Sequence, residues 1–115
     1  MKTTILTSVK YAKTLEAFSL LNYYNGRYLK NEELTASGIA EYSKTKSILE
    51  LLGLYSEFSL QGAIAYYKTL TDNDIDEFRN VYGYSFNLNF YYIRSLVNKL
   101  DSKEINVIDL IISEN

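Results

Sequence analysis

The chain has 115 residues, 47% hydrophobic and 23% charged, with a net charge of -2; this reads as a globular rather than a disordered chain, long enough for one buried core and too short for two. It contains no Cys and no His, which removes disulfides, thiolate nucleophiles, His-dependent serine catalysis and the usual ligands of structural zinc. No Pro interrupts it, so helix is sterically allowed throughout, and twelve Tyr are the one strong compositional anomaly.

Residues 1–11 suit either an opening strand or the start of a helix, because Ile5, Val9 and the β-branched Thr3, Thr4 and Thr7 fit both. From Ser8 the stripe Tyr11, Leu15, Phe18, Leu21 and Tyr24 predicts a helix, with Asn25-Gly26 as its left-handed stop. Asn31 can cap a second helix, with Glu32 and Glu33 in its acidic first turn. Leu34, Ile39 and Tyr42 make only a weak stripe, and a break near Gly38 or Ser43 would leave Ser43 to Leu52 as its own helix, with Ile48, Leu51 and Leu52 apolar and Gly53 after its end. Ser59 is the expected cap of the next helix, which carries Ala63, Ile64, Tyr67 and Leu70.

The clearest local signal follows. Thr71, three residues before Asp74, forms a capping box ahead of Ile75, Phe78 and Val81 at helical spacing, and Gly83 ends the pattern. In residues 84–100, Phe86, Phe90, Ile93, Val97 and Leu100 lie four, three, four and three apart, which predicts a helix from about Asn87 capped by Ser85 or Asn87. Tyr84 to Phe90 also alternates apolar with polar, as a short strand would. Asp101 or Ser102 can cap a last helix over residues 105–112, whose apolar residues are too dense to show a period. The expected fold is therefore an all-α, single-domain bundle of about six helices over residues 1–115, the alternative being α+β with short strands near 1–9, 84–90 or 105–112.

Motifs that carry chemistry fail at their decisive positions. Asp72, Asp74 and Asp76 imitate the start of a calcium loop, but Glu77 stands where the turn needs Gly and Gly83 where the ion needs a carboxylate. The five Gly never take the spacing of a phosphate-binding loop. The acids fall mostly on predicted solvent faces. No enzyme activity, metal or cofactor is expected. No apolar run approaches the roughly 18–20 residues of a membrane span and no secretory leader pattern opens the chain, so a cytoplasmic protein without membrane insertion is expected.

Two binding functions remain. Residues 40–52 place Ser-Lys-Thr-Lys between apolar segments, as a small helix-turn-helix DNA-binding regulator would, with Lys44 and Lys46 on phosphate. The spacing is short for that motif, Glu41 and Glu50 flank the reading surface, and a pI near 5.1 opposes a basic footprint, so nucleic acid is the weaker alternative. The tyrosines favour a protein partner. In each doublet, Tyr23-Tyr24, Tyr66-Tyr67 and Tyr91-Tyr92, the two side chains point about 100° apart on a helix, so one of each pair should reach the core boundary or the surface.

Residues 1–30 carry a balance of +4 against -6 for the remainder, so a basic first helix could face acidic neighbours or an acidic partner. The expected contact residues are Tyr24, Arg27 and Tyr28 around the end of the first helix, with Tyr66 and Tyr91 as further anchors. Such a module would act sterically on a protein partner, or form a homodimer. Small size, a composition typical of AT-rich coding sequence and the lack of a catalytic set are what a phage or mobile-element accessory protein that inhibits a host protein would also show. That is an analogy of type.

Overall fold

From Ala12 to Gly26 only Lys13, Asn22 and Tyr23 escape full burial, so the first helix is apolar nearly all round and serves as the central post. The computed structural model describes residues 9–82, 85–86 and 88–112. Six helices appear there: α1 (Val9–Leu29), α2 (Glu32–Leu52), α3 (Leu60–Lys68), α4 (Asp72–Tyr82), α5 (Phe90–Asp101) and α6 (Val107–Ile112). No strand occurs among the described residues, which makes the fold the expected all-α bundle. Residues 1–8 of the strand alternative at 1–9, residues 84 and 87 of that at 84–90, and Gly83 as the expected end of a helix lie outside the described residues.

Helices α2, α3, α5 and α6 pack on α1. Asn25-Gly26 does not stop α1, which continues to Leu29 and turns at Lys30 in the left-handed region, φ 53°. Gly26 serves another end: a Cβ there would lie 3.1 Å from the Leu34 carbonyl, so its absence lets the first turn of α2 rest on α1. The break expected near Gly38 or Ser43 is likewise absent. At Gly38 a Cβ would meet Tyr23 Cα at 2.9 Å, so this glycine is a helix crossing inside one continuous 21-residue helix. The buried pair Ser19 Oγ and Thr45 Oγ1, 3.0 Å apart, locks the same crossing.

The caps follow the chemistry of their residues. Asn31, Ser59 and Asn89 side chains accept from Leu34, Gly62 and Tyr92 N–H, which starts α2, α3 and α5. Thr71 and Asp74 form the reciprocal box, Asp74 N–H to Thr71 Oγ1 and Thr71 N–H to Asp74 Oδ2. After α2, Gly53 takes φ 70°, while Gly53 N–H bonds Glu50 carbonyl and Leu54 N–H bonds Leu49 carbonyl. The α5 cap is thus Asn89, two residues beyond the later expected one. Asp101 and Ser102 end α5 rather than starting α6, which begins after Asn106.

Helix α4 is held by side chains. Phe18 on α1 meets Phe78 edge-on at 5.3 Å, Phe90 of α5 at 5.5 Å and Tyr67 of α3 at 5.8 Å, and Tyr11 meets Tyr82 at 5.4 Å. The inward stripe of α4 is Ile75, Phe78 and Tyr82, leaving Val81 exposed against expectation. Leu51 and Leu52 are also exposed, and Leu49 is the buried residue of that turn.

At its open end α4 is tied by Lys10 Nζ to Asp74 Oδ1, 2.7 Å, and by Tyr11 hydroxyl to Glu77 Oε1, 2.9 Å. The Lys10 hydrogen bond, followed by the Thr71 N–H, lowers the Asp74 carboxyl to about 2. In an unfolded chain it would titrate near about 4. The ionised form is therefore favoured by folding, and the contribution is present above about pH 4 and lost as pH falls towards 2. The melting-temperature gap between wild type and Asp74→Asn is expected to close over that interval in thermal melts. A gap that stays constant down to pH 2 would count against the tie.

Sequence reasoning placed the acids outside, yet Glu16 is fully buried in α1. Its Oε1 and Oε2 accept Ser56 N–H at 2.8 Å and Phe58 N–H at 2.7 Å, so one carboxylate clamps the α2–α3 connection. Between these two amides Glu57 sits in the left-handed region, φ 56°. Tyr55 of the same loop places its hydroxyl 3.1 Å from that of Tyr42. Burial, then this hydrogen bond, pushes the Tyr42 phenol well above its ordinary range.

Candidate interaction face on helices α4 and α5

The apolar stripes that bury α4 and α5 decide what remains outside. With Phe90, Ile93, Val97 and Leu100 turned inward or half-buried, Tyr91 and Arg94, three residues apart, share the solvent side of α5. On α4 the inward set Ile75, Phe78 and Tyr82 leaves Asp72, Asp76 and Arg79 outside. These two ridges border a cleft of about 300 Å³, which Tyr67 also lines. Tyr91 is 76% exposed, the largest exposure of any described aromatic residue.

Both arginines are held loosely. Arg79 Nη2 lies 3.2 Å from Asp76 Oδ1 and its guanidinium 5.6 Å from the Phe90 ring centre; Arg94 Nη2 lies 3.9 Å from Asp72 Oδ1. All four charged side chains are more than half exposed. Pairs of that kind contribute at most about 1 kcal/mol, so a carboxylate on a partner can compete for either guanidinium at little cost. The chemistry on offer is recognition: one rigid aromatic ring, two planar cations and two exposed carboxylates. Among the described residues no group of three potential metal ligands comes together, and no helix is long and apolar enough to cross a membrane.

The residues singled out from the sequence do not form one site. Tyr24 is 8% exposed, a core side chain with its ring 5.1 Å from that of Tyr23, and so cannot be a surface anchor. The stripe that defined α1 already contained it. Arg27 is half-buried, with Nη1 3.2 Å from the Tyr23 hydroxyl. Tyr28 is half-buried too, under Lys99 Nζ at 5.6 Å. Those two share a groove of about 310 Å³ with Lys30, Asp109 and Leu110.

Tyr66 is committed inside the fold, its hydroxyl donating to the Lys10 carbonyl at 3.1 Å and its ring 5.7 Å from that of Phe58. Only Tyr91 of the five presents a largely uncovered ring. The expectation for doublets holds in that at least one member of each lies at the boundary or beyond: Tyr23, both Tyr66 and Tyr67, and Tyr91 with Tyr92. Arg79 and Arg94 were missed. Their signal was the i,i+3 spacing of Tyr91 and Arg94 and the off-stripe position of Arg79 on a well-marked helix.

The turn needed for a DNA-reading helix-turn-helix is absent, because residues 43–46 lie inside α2. No protein-family model matches the chain, and neither a curated protein nor a solved structure matches it.

Proposed function

We propose that this chain is a non-catalytic protein-binding module that engages a protein partner through the Tyr91, Arg94 and Arg79 face. The observation that carries the reading is Tyr91, a ring left 76% exposed on a face that also carries two guanidiniums that no strong pair retains. Tyr and Arg are the side chains that most often dominate binding energy when buried at an interface centre. Here both stand on helices held by their own packing, so the backbone needs no ordering at binding and the cost that remains is that of fixing the two arginine side chains. The mode of action is steric: the helical face covers a working surface of its partner. By analogy of type we place the chain among accessory proteins of phages or mobile elements that occlude a host protein in the cytoplasm.

The test uses wild type, Tyr91→Ala and Arg94→Ala as matched baits, followed by affinity measurement with the purified captured protein. Each substitution is expected to weaken binding at least tenfold, a loss of about 1.4 kcal/mol or more, while melting temperature moves by about 2 °C or less, as for ordinary surface changes. Equal capture and equal affinity for all three baits would refute the reading. Light scattering of the chain alone, against 13.3 kDa for one copy, separates a homodimer from capture of a different protein.

A further inference from the structure

Around the N-terminus of α5, beside the proposed interaction face, lies a second and more enclosed cleft of about 120 Å³. Its walls come from three helices. Asn22, Asn25 and Gly26 belong to α1, Leu34 and Ser37 to α2, and Asn89 and Tyr92 to the start of α5. It owes its form to Gly26, where α1 and α2 approach too closely for a Cβ without displacement.

Three side-chain amides in this wall each bond the protein through one of their two halves. Asn22 Oδ1 accepts Asn89 N–H at 3.2 Å, leaving Asn22 Nδ2 as a donor. Asn89 Oδ1 accepts Tyr92 N–H at 3.0 Å, leaving Asn89 Nδ2 as a donor. Asn25 is the reverse: its Nδ2 donates to the Tyr92 carbonyl at 3.0 Å, and its Oδ1 is buried with no hydrogen-bond donor. Asn25 is only 3% exposed, so bulk water does not supply the missing donor. The wall therefore carries two N–H donors and one starved acceptor that is covered.

That set selects a ligand chemistry. A carboxylate would satisfy the two donors but set like against like at Asn25 Oδ1, and an ammonium would do the opposite. A primary carboxamide carries both halves at fixed separation, a carbonyl for the Asn22 and Asn89 NH₂ groups and an N–H for Asn25 Oδ1. The volume is well below the roughly 300 Å³ at which cofactor and metabolite pockets begin, and the ring of Tyr92 in the wall lies 6.1 Å from the exposed Tyr91 ring, inclined to it by 54°. We infer that this cleft receives the side-chain carboxamide of an Asn or Gln on the protein partner, seated next to Tyr91. Because Asn25 Oδ1 is covered, entry includes a small shift of the side chains over it. The partner's identity as a protein rests on the function proposed above, whereas the cleft's preference for a carboxamide does not.

The preference is read by titrating the ¹⁵N-labelled chain with acetamide and following side-chain and backbone amide resonances. Acetamide is expected to produce saturable shifts at Asn22, Asn25, Asn89 and Tyr92, while acetate and N,N-dimethylacetamide, each lacking one half of the pattern, produce none. Ser37→Leu, an exposed helical position at the cleft, is expected to weaken acetamide binding at least tenfold without unfolding the chain, and Tyr91→Ala to leave it within twofold. Linear shifts spread over the surface, or equal responses to all three probes, would overturn the inference and leave a solvent-filled cleft. Saturable acetamide binding together with partner binding indifferent to Tyr91→Ala would uphold the cleft and refute the proposed face.

Discussion

Glu16→Ala is expected to lower the free energy of unfolding by about 3 kcal/mol and the melting temperature by about 12 °C. The reason is that the partners of this carboxylate are backbone groups. Ser56 N–H and Phe58 N–H lose their protein acceptor once the side chain is cut back, and each partly buried orphan amide costs about 1–3 kcal/mol. An apolar replacement does not help, as it can when both members of an ion pair are removed, because the amides stay behind. The left-handed Glu57 between them is held only while both bonds are made. Glu16→Gln keeps one acceptor and turns an NH₂ towards the other amide, so its loss should be smaller, about 1–2 kcal/mol. Urea unfolding gives the energies, and hydrogen exchange at Ser56 and Phe58 gives the mechanism. If Glu16→Ala costs less than about 0.5 kcal/mol, the size of an ordinary surface change, the clamp is not a stabilising element.

The same residue shows where a sequence stops being legible. The stripe Tyr11, Leu15, Phe18, Leu21 and Tyr24 marked one face of α1 correctly, but nothing local says that the opposite face is covered as well. Glu16 lies on that second face, so its burial follows from α2 and α3 folding over it. Local chemistry was readable wherever it is self-contained: the Thr71 and Asp74 box, the caps Asn31 and Ser59, and the Gly53 turn all depend on residues within a few positions. Gly26 and Gly38 were misread for the converse reason. A glycine that ends a helix and one that admits a neighbouring helix are the same letter, and only the partner's backbone separates them. For the candidate face, Tyr91 was identified but its companions were not. Arg79 reaches it from another helix, and the cleft of side-chain amides joins residues 67 positions apart in sequence.

Phe18→Ala is expected to cost about 3–5 kcal/mol, a large share of the roughly 5–15 kcal/mol that holds a domain of this size together. Phe18 is fully buried and its ring is the point where four helices meet, touching Tyr67 of α3, Phe78 of α4 and Phe90 of α5. Its removal leaves a cavity that those rings can fill only by moving from their packed positions, and Phe18→Leu should recover part of the loss by restoring volume. Urea unfolding followed by circular dichroism measures both, and a cost below about 1 kcal/mol for the alanine variant would mean that the ring cluster is not the core. The comparison with Tyr91→Ala carries the functional meaning. Phe78 and Phe90 are the packed base on which the outward ridges of α4 and α5 stand, so emptying the core beneath them should loosen the spacing of Arg79, Tyr91 and Arg94. Partner binding should then fall together with stability in Phe18→Ala and fall alone in Tyr91→Ala. A Phe18→Ala protein that is destabilised as expected yet binds with unchanged affinity would show that the partner does not depend on a preformed face.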